Sequence, residues 1–454
     1  MKKERGIYTM AQRVGKPCSP LVLVVGTNYD PNHRLRPRVE ADSNKENGRR
    51  ALTSNCFVSL FSGAGGLDLG LEVAGWRGLY AADIDPAAVA TLQRNQGRSV
   101  SGIRFMEDAV IEAADVQTLT GQKILDKIGA GRGEIPLLVG GPPCQSWSSA
   151  GRQKGFEDPR GRLFADFVRL ASELDVRWLM FENVRGLLTA RGPDGRPGSA
   201  LELIRKQLLA AGFQTAVQLV NAADYGVGQR RVRLIVFGYR AGEALDFPKP
   251  THDKQAQTGK SSMRPWVTLD DVLRSVPAPS PDEVIRPSGL LAHQMRDLLP
   301  GSGVKSPGKA ETTRPGGHWG YKQGAFVTDP SKPARTVTAS GQQDWLRDPE
   351  LGLRKLSPRE CAAIQSFPQN WEFAGKRNDH YRLIGNAVPP ELGRVLGRAL
   401  LRHAGKDHFA PIGQGNLIPL PVRLASAIRY TEREEARNGE SRRAAPDRRA
   451  KKVA

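Results

Sequence analysis

From Cys56 onward the chain alternates short apolar runs with amphipathic stretches, a pattern that predicts strand–helix repeats. Phe57–Phe61 is an apolar run ending in a glycine-rich turn, Leu67–Ala74 reads as a helix, and Gly78–Ala82 reads as the next strand. Asp85 can cap a further helix whose first position is Pro86, where the fixed φ of proline suits the first turn. Ile135–Val139, Trp178–Phe181 and Arg233–Gly238 are additional buried strands. Strands alternating with helices predict an α/β fold: a doubly wound, mostly parallel sheet with helices on both faces.

The alternation stops between Tyr239 and Arg354, a segment rich in Pro, Gly, Ser, Lys and Arg with little periodicity. It is too long for a connecting loop, so 246–353 is expected to be an inserted smaller domain of short strands and loops. Order returns at Leu356: Ser357-Pro-Arg-Glu360 is a capping box with proline at the first helical position, and Leu356 and Cys361 are placed to form its hydrophobic staple. Residues 1–54 are polar and expected to be largely disordered, with Pro20–Val25 as a stray strand. The expected organisation is therefore a basic segment 1–54, a principal domain 55–245, the insert 246–353, a return to the principal domain at 354–404, and a basic tail 405–454, frayed from Arg423 onward.

Charge narrows the function. The chain carries 67 Lys+Arg against 47 Asp+Glu, a net charge of +20, which favours a polyanionic partner, above all nucleic acid. No apolar stretch reaches the ~18–20 residues of a membrane span, and no signal-peptide core follows the basic N-terminus, so a cytoplasmic location is expected. The cysteines, Cys18, Cys56, Cys144 and Cys361, include no Cys-x-x-Cys pair, so neither a zinc site nor a disulfide framework is expected.

Cys144 has the context of a nucleophile. Gly140 and Gly141 end a strand and Pro142-Pro143 stiffens the backbone before the thiol; loops at strand C-termini are where doubly wound sheets place ligands. The thiolate is the reactive form, and Arg152, Arg160 and Arg162 downstream are candidates to stabilise it. Glu182, ending another strand, should reach the same rim and can donate a proton or hydrogen bond. Arg231 and Arg233 have the same parity before and along the strand to Gly238, so one side could carry both guanidinium groups. The glycine turn 61–67, with Asp83 ending the following strand, suits a nucleotide-like cofactor whose ribose is held by the acid. Its spacing departs from Gly-x-Gly-x-x-Gly, which disfavours a dinucleotide.

These blocks resemble, in order, those of the DNA (cytosine-5)-methyltransferases, particularly the bacterial modification enzymes. Phe-Ser-Gly-Ala-Gly-Gly-Leu (61–67) is similar to the family's S-adenosylmethionine loop, Gly-Pro-Pro-Cys-Gln-Ser-Trp-Ser (141–148) to its catalytic loop, Glu182-Asn183-Val184 to its acid motif and Gln229–Arg233 to its paired-arginine motif. Leu356–Pro368 and Ile384–Pro389 resemble the last two blocks, and Pro333–Thr338 a stretch near the end of the variable target recognition domain, which 246–353 would be. The resemblance implies S-adenosylmethionine contacts from Phe61, Gly63, Ala64, Gly65, Gly66, Leu67, Asp83, Ile84, Asp115, Val116, Pro142, Asn386 and Val388, with Asp108 the alternative to Asp115. It implies catalysis by Cys144 and Glu182, Arg231 and Arg233 beside the flipped base or its phosphate, double-stranded DNA as partner, action as a monomer and no metal; a restriction endonuclease could be encoded alongside. Two other readings share these motifs: a tRNA cytosine-5 methyltransferase, disfavoured by the sizeable insert, and a catalytically silent DNA-binding relative, disfavoured because Cys144, Glu182 and the glycine loop are all present.

Overall fold

The computed structural model describes residues 54–143, 159–240, 245–305, 324–404 and 416–444. Its centre is a seven-stranded sheet of β1 (Cys56–Leu60), β2 (Arg77–Asp83), β3 (Val110–Ala113), β4 (Leu137–Gly140), β5 (Trp178–Val184), β6 (Gln214–Asn221) and β7 (Val232–Tyr239), in the order β3-β2-β1-β4-β5-β7-β6. Neighbours run parallel except β7, which is antiparallel to both β5 and β6. The connecting helices are α1 (Gly66–Ala74), α2 (Pro86–Asn95), α3 (Gly121–Ile128), α4 (Pro159–Leu174) and α5 (Ser199–Ala210).

Strand alternation sorts the core into two layers. Phe57, Ala81, Leu137, Met180 and Ile235 pack with α1 and α2 on one face. Val58, Ala82, Leu138, Leu179 and Val236 pack with α3, α4 and α5 on the other. Strand order reverses between β1 and β4, the point where such a sheet opens a crevice at its carboxyl edge. The glycine turn leaves β1 there, and Gly140-Gly141-Pro142-Pro143 leaves β4.

The insert contains α6 (Leu269–Leu273), α7 (Gly289–Met295) and a four-stranded sheet of β8 (Ser302–Gly303), β9 (Phe326–Val327), β10 (Trp345–Asp348) and β11 (Gly352–Lys355). It has a small core of Met295, Leu298, Val327 and Trp345. The expected boundary at 353/354 runs through β11: Arg354, 2% exposed, binds Asp348 of its own hairpin and Glu360 beyond it. The segment also returns to the main body before its last hairpin, where the Arg230 N–H donates to the Ala334 carbonyl and the Ala334 N–H to the Gly228 carbonyl.

Beyond the insert follow α8 (Pro358–Ile364), with the expected Ser357/Glu360 capping box, α9 (Arg377–Asn386) and α10 (Pro390–Ala404), which packs along α1. The expectation of a frayed tail from Arg423 is corrected by α11 (Val422–Ala444). Leu424, Ala427 and Ile428 fall at helical spacing within that charged stretch and dock α11 against the α3–α5 face. Residues 1–53, including the 20–25 run, and 445–454 lie outside the described residues.

Candidate active site

The glycine turn is built from left-handed backbone: Phe61, Gly63 and Gly65 have φ of 55, 55 and 75°. For Phe61 that conformation is strained, and it falls where β1 gives way to the turn. The glycines have different tasks. A Cβ on Gly63 would meet nothing within 4 Å, whereas one on Gly65 would lie 2.6 Å from Leu92 and one on Gly66 would lie 2.2 Å from the Val388 carbonyl oxygen. Gly63 thus borders open space, while Gly65 and Gly66 let α2 and the 386–388 segment close on the turn. Ala64, Leu67 and Val388 are buried, and Asn386 is exposed at the end of α9.

Asp83 ties this turn to β2: its carboxylate accepts the Gly63 N–H at 2.8 Å and the Asp85 N–H at 2.9 Å. Burial raises its pKa. Each oxygen keeps a second lone pair for a ligand hydroxyl. Ile84, beside it, is 67% exposed, an apolar side chain left in the open at the strand end. Asp115 and Val116 follow β3 on the same edge, where the Ala114 N–H donates to the Asp83 carbonyl. Asp108 stands before β3, at the opposite edge, in an ion pair with Arg77 at the start of β2. Of the two acids, Asp115 is thus the one on the edge that carries Asp83.

Across the switch point, Glu182 and Arg233 form an ion pair of 2.8 Å, both largely buried. The Glu182 Oε2 lies 3.5 Å from where a Cβ on Gly141 would be, so the carboxylate borders the loop leading to Cys144. Asn183 fixes that loop: its Nδ2 donates to the Pro142 carbonyl at 3.2 Å. Sequence reasoning assigned Asn183 no task, although its place between Glu182 and Val184 was the available signal. Cys144 and Arg152 lie outside the described residues.

The two arginines separate. Arg233 is on β7 and faces Glu182, but Arg231 precedes the strand and is 1% exposed, its guanidinium donating to the carbonyls of Val337 and Gly385. The two guanidinium groups therefore meet different partners, Glu182 for Arg233 and the carbonyls of Val337 and Gly385 for Arg231. Gln229 continues the stitching: it donates to Gln365, accepts from the Val337 N–H, and Gln365 in turn donates to the carbonyls of Ile384 and Ala387. The 229–231 block thus joins the end of the insert to both returning blocks.

Two described cysteines are poor nucleophiles. Burial pushes the Cys56 thiol up to about 11 and raises that of Cys361 well above its ordinary value. Among the described residues there is no cluster of His, Cys, Asp and Glu suited to a metal ion, and no helix is long and apolar enough to cross a membrane.

Residues 56–402 match the family model of C-5 cytosine-specific DNA methylases. The chain belongs to that family. The methylase is 30% identical over 357 residues to the type II methyltransferase M.FnuDI of Fusobacterium nucleatum, covering 76% of this chain and 93% of that one. It is 33% identical over 367 residues to M.Sau96I of Staphylococcus aureus, covering 79% and 78%. Among solved structures, the Schizosaccharomyces pombe Dnmt2 methyltransferase superposes with a TM-score of 0.52 at 17% identity, covering 77% of this chain and 99% of that one, a likeness of fold. The methylase is therefore a DNA (cytosine-5)-methyltransferase of the bacterial modification type.

Proposed function

We propose that the methylase modifies a cytosine flipped out of a specific duplex DNA sequence, using Cys144 as nucleophile and S-adenosylmethionine as methyl donor. The observation that carries this reading is the Glu182–Arg233 pair beside Gly141, at the head of the Cys144 loop and across the switch point from the open Gly63 turn. The turn fits the cofactor: Gly63 leaves room for a ligand, Asp83 and Asp115 present acids along one edge, and Ile84 offers an exposed apolar surface for a ring. The Val388 carbonyl borders the same turn at Gly66, and Asn386 is carried as a further candidate. Bound there, S-adenosylmethionine would supply the methyl group as an electrophile.

The protein's own residues activate the base. Carbon 5 of cytosine is too weak a nucleophile to take a methyl group unaided. Addition of the Cys144 thiolate to carbon 6, with a proton or hydrogen bond from Glu182 at ring nitrogen 3, converts the ring to an enamine with nucleophilic carbon 5. After methylation, loss of the carbon-5 proton and expulsion of the thiolate restore the aromatic ring. Arg233 holds the Glu182 carboxyl in place, and Asn183 holds the carbonyl of Pro142, so the acid and the nucleophile's loop share one rigid mount. A stacked base cannot enter such a site, and flipping costs a few kcal/mol; phosphate contacts from the basic chain offset that cost. We place sequence reading in the insert, monomeric action in the cytoplasm, and a companion restriction endonuclease within the same proposal. Bisulfite sequencing of host DNA with and without the gene tests it: one methylated sequence that disappears with the gene is expected, and unchanged DNA accompanied by methylation of tRNA would overturn it.

A further inference from the structure

The family match ends at residue 402, and α11 lies beyond it. Side chains of the catalytic domain hold the chain that leads into this helix. Gln214 Nε2 donates to the Asn416 carbonyl at 3.2 Å, and Arg205 donates to the Ile418 carbonyl. Arg205 is 5% exposed and its Nε donates to Thr215 Oγ1, so the tail supplies part of what a buried guanidinium needs. Leu424 is 4% exposed, and with Leu420, Ala427 and Ile428 it joins the core layer that contains Leu187, Leu188 and Leu201.

The helix covers the continuation of β5. Directly after Glu182-Asn183-Val184 the chain makes a short 3₁₀ turn, Arg185–Thr189, and α11 packs on it. The two meet again one loop further on. The Gly198 and Ala200 N–H groups both donate to the Ala190 carbonyl that ends the turn. Gly198, with φ of 82°, lies so close to α11 that a Cβ on it would be 2.9 Å from Ile428. A five-residue 3₁₀ turn has too few internal bonds to keep its own shape, so packing must fix it. Here that packing comes from α5, β7 and α11.

We propose that α11 is a positioning brace for the acid: Leu424 and Ile428 clamp the 185–198 segment and so hold the end of β5, keeping Glu182 in register with Arg233 and the Cys144 loop. A misplacement of about 1 Å caused far from the chemistry can cost on the order of 100-fold in rate. Leu424 and Ile428 act through Glu182, so their loss falls on the rate and leaves cofactor binding alone. The brace rests on Glu182 being the acid of the methylation reading above.

The test is a double-mutant cycle on the full-length methylase. Its readout is the single-turnover rate of labelled methyl transfer from S-adenosylmethionine to DNA of a host lacking the gene, well below the unfolding temperature. Leu424→Ala should slow transfer about tenfold with the Kd for S-adenosylmethionine unchanged. Ile428→Ala should also slow it, and Ile428→Val should restore most of the rate; Ile428→Ala takes the place of Leu424→Ala in the cycle if the latter does not fold. In a Glu182→Gln background Leu424→Ala should cost nothing further, because the acid it positions is gone. Leu400→Ala truncates a buried side chain near the end of α10, on the other face of the sheet. It should lower the urea midpoint as Leu424→Ala does and leave the rate alone. An unchanged rate in Leu424→Ala, the same fold loss in both backgrounds, or an equal loss of rate in Leu400→Ala overturns the brace. A Glu182→Gln enzyme as fast as the wild type overturns the acid assignment, and the brace with it.

Discussion

Arg231 and Arg233 are two residues apart, yet the fold assigns them to different work. Arg233 pairs with the candidate acid, whereas Arg231 is sealed among main-chain carbonyls of the returning segments. Arg231→Met should therefore cost about 3 kcal/mol of stability by leaving buried carbonyls unpaired, seen as a lower urea midpoint. Arg233→Met should keep most of the stability and lower the methylation rate on the order of 100-fold, by releasing the acid; equal loss of stability in both would refute the division. Asp68, fully buried on α1, makes a second case. Burial, offset in part by the Ser59 hydroxyl, lifts its pKa from 3.8 to about 7. The folded state thus binds this proton more tightly than the unfolded chain does. Its contribution is complete below the unfolded value and is lost as pH rises through about 7. Asp68→Asn should remove that loss, so urea unfolding at pH 5 and pH 8 should find the variant gaining on the wild type by a few kcal/mol at the higher pH; parallel pH curves would refute it.

At the scale of elements, the sequence displayed most clearly what is buried on both sides. Central strands β1, β4 and β5 are continuous apolar runs and were legible; the edge strands β3 and β6 were not. Glu112 on β3 and Gln218 and Asn221 on β6 break the apolar run, because an edge strand exchanges part of its buried surface for solvent. The docked helix α11 was hidden for a related reason: three apolar side chains suffice to seat it while its remaining faces stay charged. The roles of the glycines were also beyond sequence reasoning, since they depend on what approaches each one. Gly63→Ala should keep the fold, at about 1 kcal/mol for the left-handed backbone, and weaken S-adenosylmethionine binding. Gly66→Ala should instead lower the melting temperature markedly, because its Cβ would lie 2.2 Å from the Val388 carbonyl oxygen. Calorimetry of both variants with S-adenosylmethionine checks the contrast, and a fully stable Gly66→Ala would contradict it.

Over the whole molecule, the order of motif blocks made the family and the α/β class legible, and the proposal for Cys144 and Glu182 was drawn from residue type and position after strand ends. How the distant blocks meet was not legible, because Gln229, Arg231, Gln365 and Gly385 join segments far apart in the chain through buried hydrogen bonds and one close backbone approach. The insert is likewise less separable than its composition suggested, since Arg354 ties its last hairpin to α8. Exchange of the segment 246–353 for that of a relative with a different target should move methylation to the relative's sequence. A junction placed after Lys355, outside the hairpin, should give the more stable chimera. A folded, active chimera that still marks the original sequence would place sequence reading in the catalytic domain.

The covalent chemistry can be trapped directly. If Cys144 adds to carbon 6, release requires loss of the carbon-5 proton, and fluorine at that position cannot leave as a cation. With S-adenosylmethionine present, a duplex carrying 5-fluorocytosine at the target should give a methylase–DNA complex that survives denaturing electrophoresis and maps by peptide mass to Cys144. Cys144→Ala should abolish the complex while retaining S-adenosylmethionine binding, and Cys361→Ala should leave it in place. A complex that persists in Cys144→Ala, or maps to another cysteine, would contradict the assignment of Cys144 as the nucleophile.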